Sequence, residues 1–187
     1  MNIYWGCRTA NGWDINGFGQ LKDGRGNICP VTIIMPELAM ESVTLTSDDK
    51  WDEVKSLSQE ERTKIGVERF MTLLDQKIHE AKDMLLERFE WICSQPADSA
   101  KFMYENNVMA GYVPEEGIRS ALKHGTLAVG QLGLAETLQI LIGCNHTTKE
   151  GMKLAKRIEG LFKQRCDEFK HEYQLNFGVY YSPECNI

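Results

Sequence analysis

Gly125-Thr126-Leu127-Ala128-Val129-Gly130, followed by Leu132 to Ile142 and then Gly143, is the stretch that decides the fold class. The first segment is short, small and β-branched, as a strand is, and the second reads as a helix stopped by glycine, which tolerates the left-handed C-terminal position. A strand that passes directly into a helix through glycines signals an α/β unit.

Working outward, Ile28 to Met35 is an almost wholly apolar, β-branched run. That is the pattern of a strand covered on both faces in a parallel sheet, with Pro30 at a bulge or at the strand's beginning. Phe177-Gly178-Val179-Tyr180-Tyr181 reads as the last strand. Between them, Ser58-Gln59-Glu60-Glu61 forms a capping box, in which the serine oxygen accepts a backbone N–H and Glu61 reaches back to the cap. Behind it Phe70, Met71, Leu74, Ile78, Ala81, Leu85, Phe89 and Ile92 recur at helical spacing as one core-facing stripe that lasts until Pro96. The pattern predicts a shorter helix over Ala97–Asn107 and another from Pro114-Glu115-Glu116 to about Lys123. Thr147-Thr148-Lys149-Glu150 reads as a second capping box, opening a helix that buries Met152, Ala155, Ile158, Leu161, Phe162 and Phe169.

With 187 residues, 42% hydrophobic and 26% charged, the chain has the composition of a soluble globular domain or of a piece of a larger one. A net charge of −6 argues against a broad nucleic-acid or anionic-membrane surface. No membrane-spanning run or signal-peptide layout is present, and the reading is cytoplasmic. The six cysteines (Cys7, Cys29, Cys93, Cys144, Cys166 and Cys185) are irregularly spaced and read as reduced thiols, with no metal-ligating pattern.

Residues 1 to 26 are rich in glycine and aromatic residues, with turn signals at Asn11-Gly12, Asn16-Gly17 and Asp23-Gly24, and read as a loop or irregular hairpin. Cys7 stands in this loop between Gly6 and Arg8, outside any apolar period, where a thiol beside a permanent cation is placed for chemistry. Polar groups gather at three strand-to-loop junctions: Cys7 with Asn27, Lys123-His124-Gly125-Thr126, and Ser182-Pro183-Glu184. The last has the chemistry of a helix start, a serine cap, a proline and an acid, and an open helix N-terminus is a phosphate site. The chain stops where that helix would begin, so a fragment is expected. No nucleophile elbow, Walker A loop or dinucleotide fingerprint occurs.

Four motifs, in order, carry a resemblance. Gly6-Cys7-Arg8-Thr9, Gly24-Arg25-Gly26-Asn27 with Val31 to Met40, Lys123 to Glu136 followed by Leu141-Ile142-Gly143, and Asn176 to Glu184 resemble the anaerobic (class III) ribonucleoside-triphosphate reductases, which are glycyl radical enzymes. The resemblance implies an α/β fold that is part of a ten-stranded barrel, with residues 1–26 as a finger loop and 27–187 as strands and helices of a half barrel, in one partial catalytic domain. It implies that Cys7 becomes the thiyl that takes the ribose 3′ hydrogen. Asn27 would bond the ribose or the leaving oxygen and Thr9 would stand beside it, while Ser182, Pro183, Glu184 and His124 would bind the substrate. It further implies an iron–sulfur, S-adenosylmethionine-dependent activase, a formate or thiol reductant, ATP or deoxynucleotide effectors, and a homodimer in the full enzyme. The family's glycyl radical loop and four-cysteine zinc site have no counterpart in these residues. No bound cofactor is therefore expected within this chain, and by itself it is expected to be inactive. The other reading is a non-catalytic α/β module that binds a nucleotide or a partner.

Overall fold

Three strands, β1 (Asn27–Ile34), β2 (Thr126–Leu132) and β3 (Asn176–Tyr181), lie side by side in that order and run parallel. This is the α/β arrangement expected from the opening stretch. The chain is seen in a computed structural model that describes residues 11–45 and 51–181; Cys7, Thr9, Ser182, Pro183 and Glu184 lie outside the described residues. β1 leads directly into α1 (Met35–Val43), then come α2 (Trp51–Ser56) and the 35-residue α3 (Gln59–Cys93). Short pieces follow: a 3-10 turn at Ala97–Ala100, α4 (Lys101–Glu105), a second 3-10 turn at Pro114–Glu116 and α5 (Arg119–Leu122). After β2 come α6 (Leu134–Ile142) and α7 (Lys149–Tyr173).

The two long helices follow their sequence signals. Ser58 caps α3, its hydroxyl accepting from the Glu61 N–H while the Glu61 carboxylate accepts from the Ser58 N–H. The stripe Phe70, Leu74, Ile78, Ala81, Leu85 and Phe89 is fully buried, with Met71 and Ile92 at its half-buried margin. In α7 the cap is Thr148 rather than Thr147, because Asn145 Oδ1 accepts from both the Thr147 N–H and its hydroxyl and holds that residue in a turn. Ala155, Ile158, Phe162 and Phe169 are buried as expected, joined by Leu154 and Cys166, whereas Met152 is exposed. Arg165 binds Asp75 through two bonds of 2.6 and 2.9 Å, fastening α7 to α3.

The segment from Pro114 to Lys123 is broken where one helix was expected. Ser120 accepts from the Val113 N–H and donates to the Gly117 carbonyl, so local side-chain bonds replace the helical ladder. The expected Ala97–Asn107 helix is likewise split into a 3-10 turn and α4.

α3 packs on β1 and α7 on β3, and the core lies between these helices and one face of the sheet. Cys29, Ile33, Leu127, Val129 and Phe177 point into it. Strand alternation therefore turns Thr32, Thr126, Ala128, Gly130, Gly178 and Tyr180 to the opposite face.

The buried thiols yield a prediction. Burial pushes Cys93 up to about 11 and Cys166 up to about 12, and it raises Cys29 as well. At pH 8 the native Cys166 should react with iodoacetamide roughly a thousandfold more slowly than in the unfolded chain, as read by peptide mass spectrometry. Equal rates would contradict this burial.

Candidate functional site

Residues 11 to 25 are a turn-rich loop with one β-bridge between Asp14 and Gly19, and side-chain bonds hold them to the sheet. Asp14, 1% exposed, is the centre of the knot. Its Oδ2 lies 2.7 Å from His124 Nδ1 and accepts from the Phe18 N–H, while its Oδ1 accepts from Asn176 Nδ2 at 2.7 Å and from the Asn16 N–H. Burial alone would raise the Asp14 pKa, but the bonds from Asn176, His124, Asn16 and Phe18 together hold it down at about 2. The carboxylate is thus ionised and can only accept, so His124 Nδ1 is the donor of their bond.

Other bonds complete the fastening. Asn176 accepts from the Ile15 N–H and sets its amide against the Lys123, His124 and Gly125 carbonyls. Arg25 donates from Nε to the His124 carbonyl at 2.6 Å and from Nη1 to the carbonyls of Gly12 and Leu21. Lys170 of α7 donates to the Trp13 carbonyl, and Asn16 donates to those of Lys123 and Gln174. Thr126 donates to Asn11, which in turn donates to the Arg25 carbonyl. The loop is thereby anchored to the N-terminal ends of β2 and β3.

His124 is 4% exposed, stacked on Phe18 with ring centroids 3.8 Å apart and lying close against Gly111. It sits at the beginning of β2, whereas Tyr181, the last residue described, lies at the other end of the sheet. Asn27 is the first residue of β1 and is half-buried. The register slips between Asn27 and Cys29, so Asn27 pairs with Thr126 while Cys29 pairs with Leu127. Since Leu127 faces the core and Thr126 does not, this bulge sets Asn27 on the face opposite the core, paired with the Thr126 that holds Asn11 at the root of the loop. Among the described residues, no group of three or more His, Cys, Asp or Glu could hold a metal ion.

The face of the sheet opposite the core and the loop fastened at the beginning of β2 and β3 form the candidate site. Arg25 and Asn176 lie within two of the motifs that carry the resemblance, but those motifs give them no role, and Asp14 lies in none. The sequence signal for Asp14 is the density of polar residues among turn glycines, which does not say which partners will meet.

Comparison with known proteins settles the lineage. The model of the family described as anaerobic ribonucleoside-triphosphate reductase matches residues 2–186. The chain belongs to this family. It is 24% identical to the anaerobic ribonucleoside-triphosphate reductase of Escherichia coli (strain K12) over 188 residues, covering 97% of this chain and 24% of that protein. Its counterpart in Salmonella typhimurium (strain LT2) is 25% identical with the same coverage. The chain therefore spans about a quarter of the length of these relatives. Among solved structures, an anaerobic ribonucleotide reductase is similar over 83% of this chain and 20% of its own, with a TM-score of 0.59 and 18% identity. The Thermotoga maritima enzyme with glycerol in its active site is similar over 92% of this chain and 24% of its own, with a TM-score of 0.59 and 16% identity. These likenesses support a shared fold. Among the described residues no helix is long and apolar enough to cross a membrane.

Proposed function

We propose that this chain is a part of the catalytic core of an anaerobic ribonucleotide reductase, with its sheet forming strands of the ten-stranded barrel and the loop before Asn27 serving as the finger loop. The observation that carries this reading is the family match over residues 2–186, joined to a loop root whose Asn11 is held by Thr126, the strand partner of Asn27. Cys7 as a thiyl would take the ribose 3′ hydrogen atom, forming S–H as C3′–H breaks, after which the 2′ hydroxyl leaves as water with the proton given up by the 3′ hydroxyl as C3′ becomes a carbonyl. A formate or thiol reductant would supply the two electrons of the net reduction. Asn27 would bond the sugar or the leaving oxygen, with Thr9 beside it. The backbone N–H groups of Ser182-Pro183-Glu184 would receive the phosphates. His124 acts through the knot, holding the loop's root so that the sulfur meets the sugar in a reactive geometry. The oxidation of Cys7 would come from a glycyl radical in the remaining segments, raised by the iron–sulfur, S-adenosylmethionine-dependent activase. The isolated chain is accordingly inactive.

Complementation tests this. The remaining segments are supplied in trans, the assembly is activated without oxygen, and deoxynucleotide formation is measured against a Cys7→Ala version. The variant should lose activity by at least roughly a thousandfold. Equal turnover by both would exclude Cys7 as the reacting thiol.

A further inference from the structure

On α7, Lys149, Lys153, Lys156 and Lys163 recur with Gly160 at three- and four-residue spacing, which keeps all five on one ridge. The buried Ala155, Ile158 and Phe162 lie on the opposite side, so the ridge faces outward, and its four lysines are exposed. None of the four makes a hydrogen bond or an ion pair with another described residue. The two arginines of the same helix are both tied to α3, Arg157 to Glu68 by two bonds of 2.8 Å and Arg165 to Asp75. Lys149 even stands in the first turn, where the helix dipole disfavours a cation. The charge of the ridge therefore contributes no contact to the fold.

Two further residues of this surface are not explained by packing. Gly160 weakens the helix, yet its φ is ordinary and an added Cβ would meet nothing within 4 Å. Met152, three residues from Lys149 and four from Lys156, is 40% exposed although its spacing assigns it to the core. A bare backbone lets a partner's backbone come close, and an exposed methionine offers that partner an adaptable apolar contact. The lysines form a single file about 21 Å long, bordered by Glu150 and Glu159 and followed by Asp167. Duplex DNA or an anionic membrane brings a broad, dense negative surface, against which those carboxylates would be pressed. One row of carboxylates matches the file and avoids them. We propose that the outward ridge of α7 docks an acidic helix of a partner protein, with carboxylates at the same spacing and the closest approach at Gly160.

The test is fluorescence anisotropy of a labelled synthetic helical peptide, with glutamates at this three-and-four spacing, titrated with the full 187-residue chain. Binding should saturate and weaken as salt rises. Reversing two charges together, Lys156→Glu with Lys163→Glu, should weaken it roughly tenfold, and so should Gly160→Leu, which keeps every charge. Lys101→Glu, an exposed lysine on α4, should stay within about twofold of wild type. A peptide of the same composition with its glutamates spread around the helix should bind roughly tenfold more weakly. Thermal melting of each variant checks that it is folded. The proposal is overturned by absence of binding to the wild-type chain, by unchanged affinity in the double reversal or in Gly160→Leu, or by equal binding of the spread peptide. Tighter binding of mixed-sequence duplex DNA or phosphatidylserine vesicles through the same lysines overturns it as well, since the ridge would then be a phosphate surface.

Discussion

Replacement of Asp14 by alanine should destabilise the chain by about 3–5 kcal/mol, read as a fall in the urea midpoint without a change in slope. The carboxylate is almost wholly buried and takes bonds from two side chains and two backbone N–H groups. Its removal leaves buried donors on His124 and Asn176 without their acceptor, which costs more than the net value of the bonds themselves. Asp14→Asn keeps the shape but not the charge and should fall between the two. The acid limb separates the variants further. Because the native pKa is lowered from 3.8 to about 2, the carboxylate contributes about 2–3 kcal/mol that is present above pH 4 and is lost as pH falls from 3.8 through 2. Wild type should therefore lose stability across that window more steeply than Asp14→Asn. If the two acid profiles coincide, the charge of Asp14 is not what the knot holds.

The consequence reaches the proposed chemistry. Asn11 is four residues from Cys7, and its side chain is held by Thr126 and Arg25. In the complemented enzyme, loosening the knot should lower turnover more than nucleotide affinity, since the loop's root moves while the rest of the sheet remains.

The elements that were legible in the sequence are those whose information is local. The α3 stripe and its Ser58 capping box need only residues three and four apart, and the β1 and β2 strands need only their β-branched runs. What local pattern leaves undetermined is pairing across long separations. Asp14 meets His124 and Asn176 across more than a hundred residues, and Tyr180 meets Thr32 across the width of the sheet. Nothing in a single sequence ranks those encounters above others. The segment at Pro114 misled for a different reason: its proline and acids do favour a helical first turn, but the Ser120 hydroxyl offers the backbone a better local partner. Asn27 was legible as a polar residue in a glycine turn, whereas its face depends on a one-residue slip in register that only the strand pairing fixes.

The junction that first marked the α/β unit carries the second large effect. Gly133 joins β2 to α6 at φ 80°, a left-handed conformation that costs a residue with a Cβ about 1–2 kcal/mol. A Cβ there would also lie 2.4 and 2.7 Å from Cγ and Cδ of Pro36. Pro36 sits in the first turn of α1 as a rigid ring with no rotamer to retreat into, so the clash must displace α1 or α6 and adds about 1–3 kcal/mol. Gly133→Ala should thus cost about 2–4 kcal/mol in urea unfolding. Gly160, in the interior of α7, is the matched control: it is exposed, its added Cβ would meet nothing within 4 Å, and it has ordinary helical φ. Gly160→Ala should stabilise by about 0.5–1 kcal/mol, since only the entropy of the unfolded glycine is lost. Opposite signs from one chemical change would show that the strand-to-helix corner is set by the approach of α1, and equal effects would refute it.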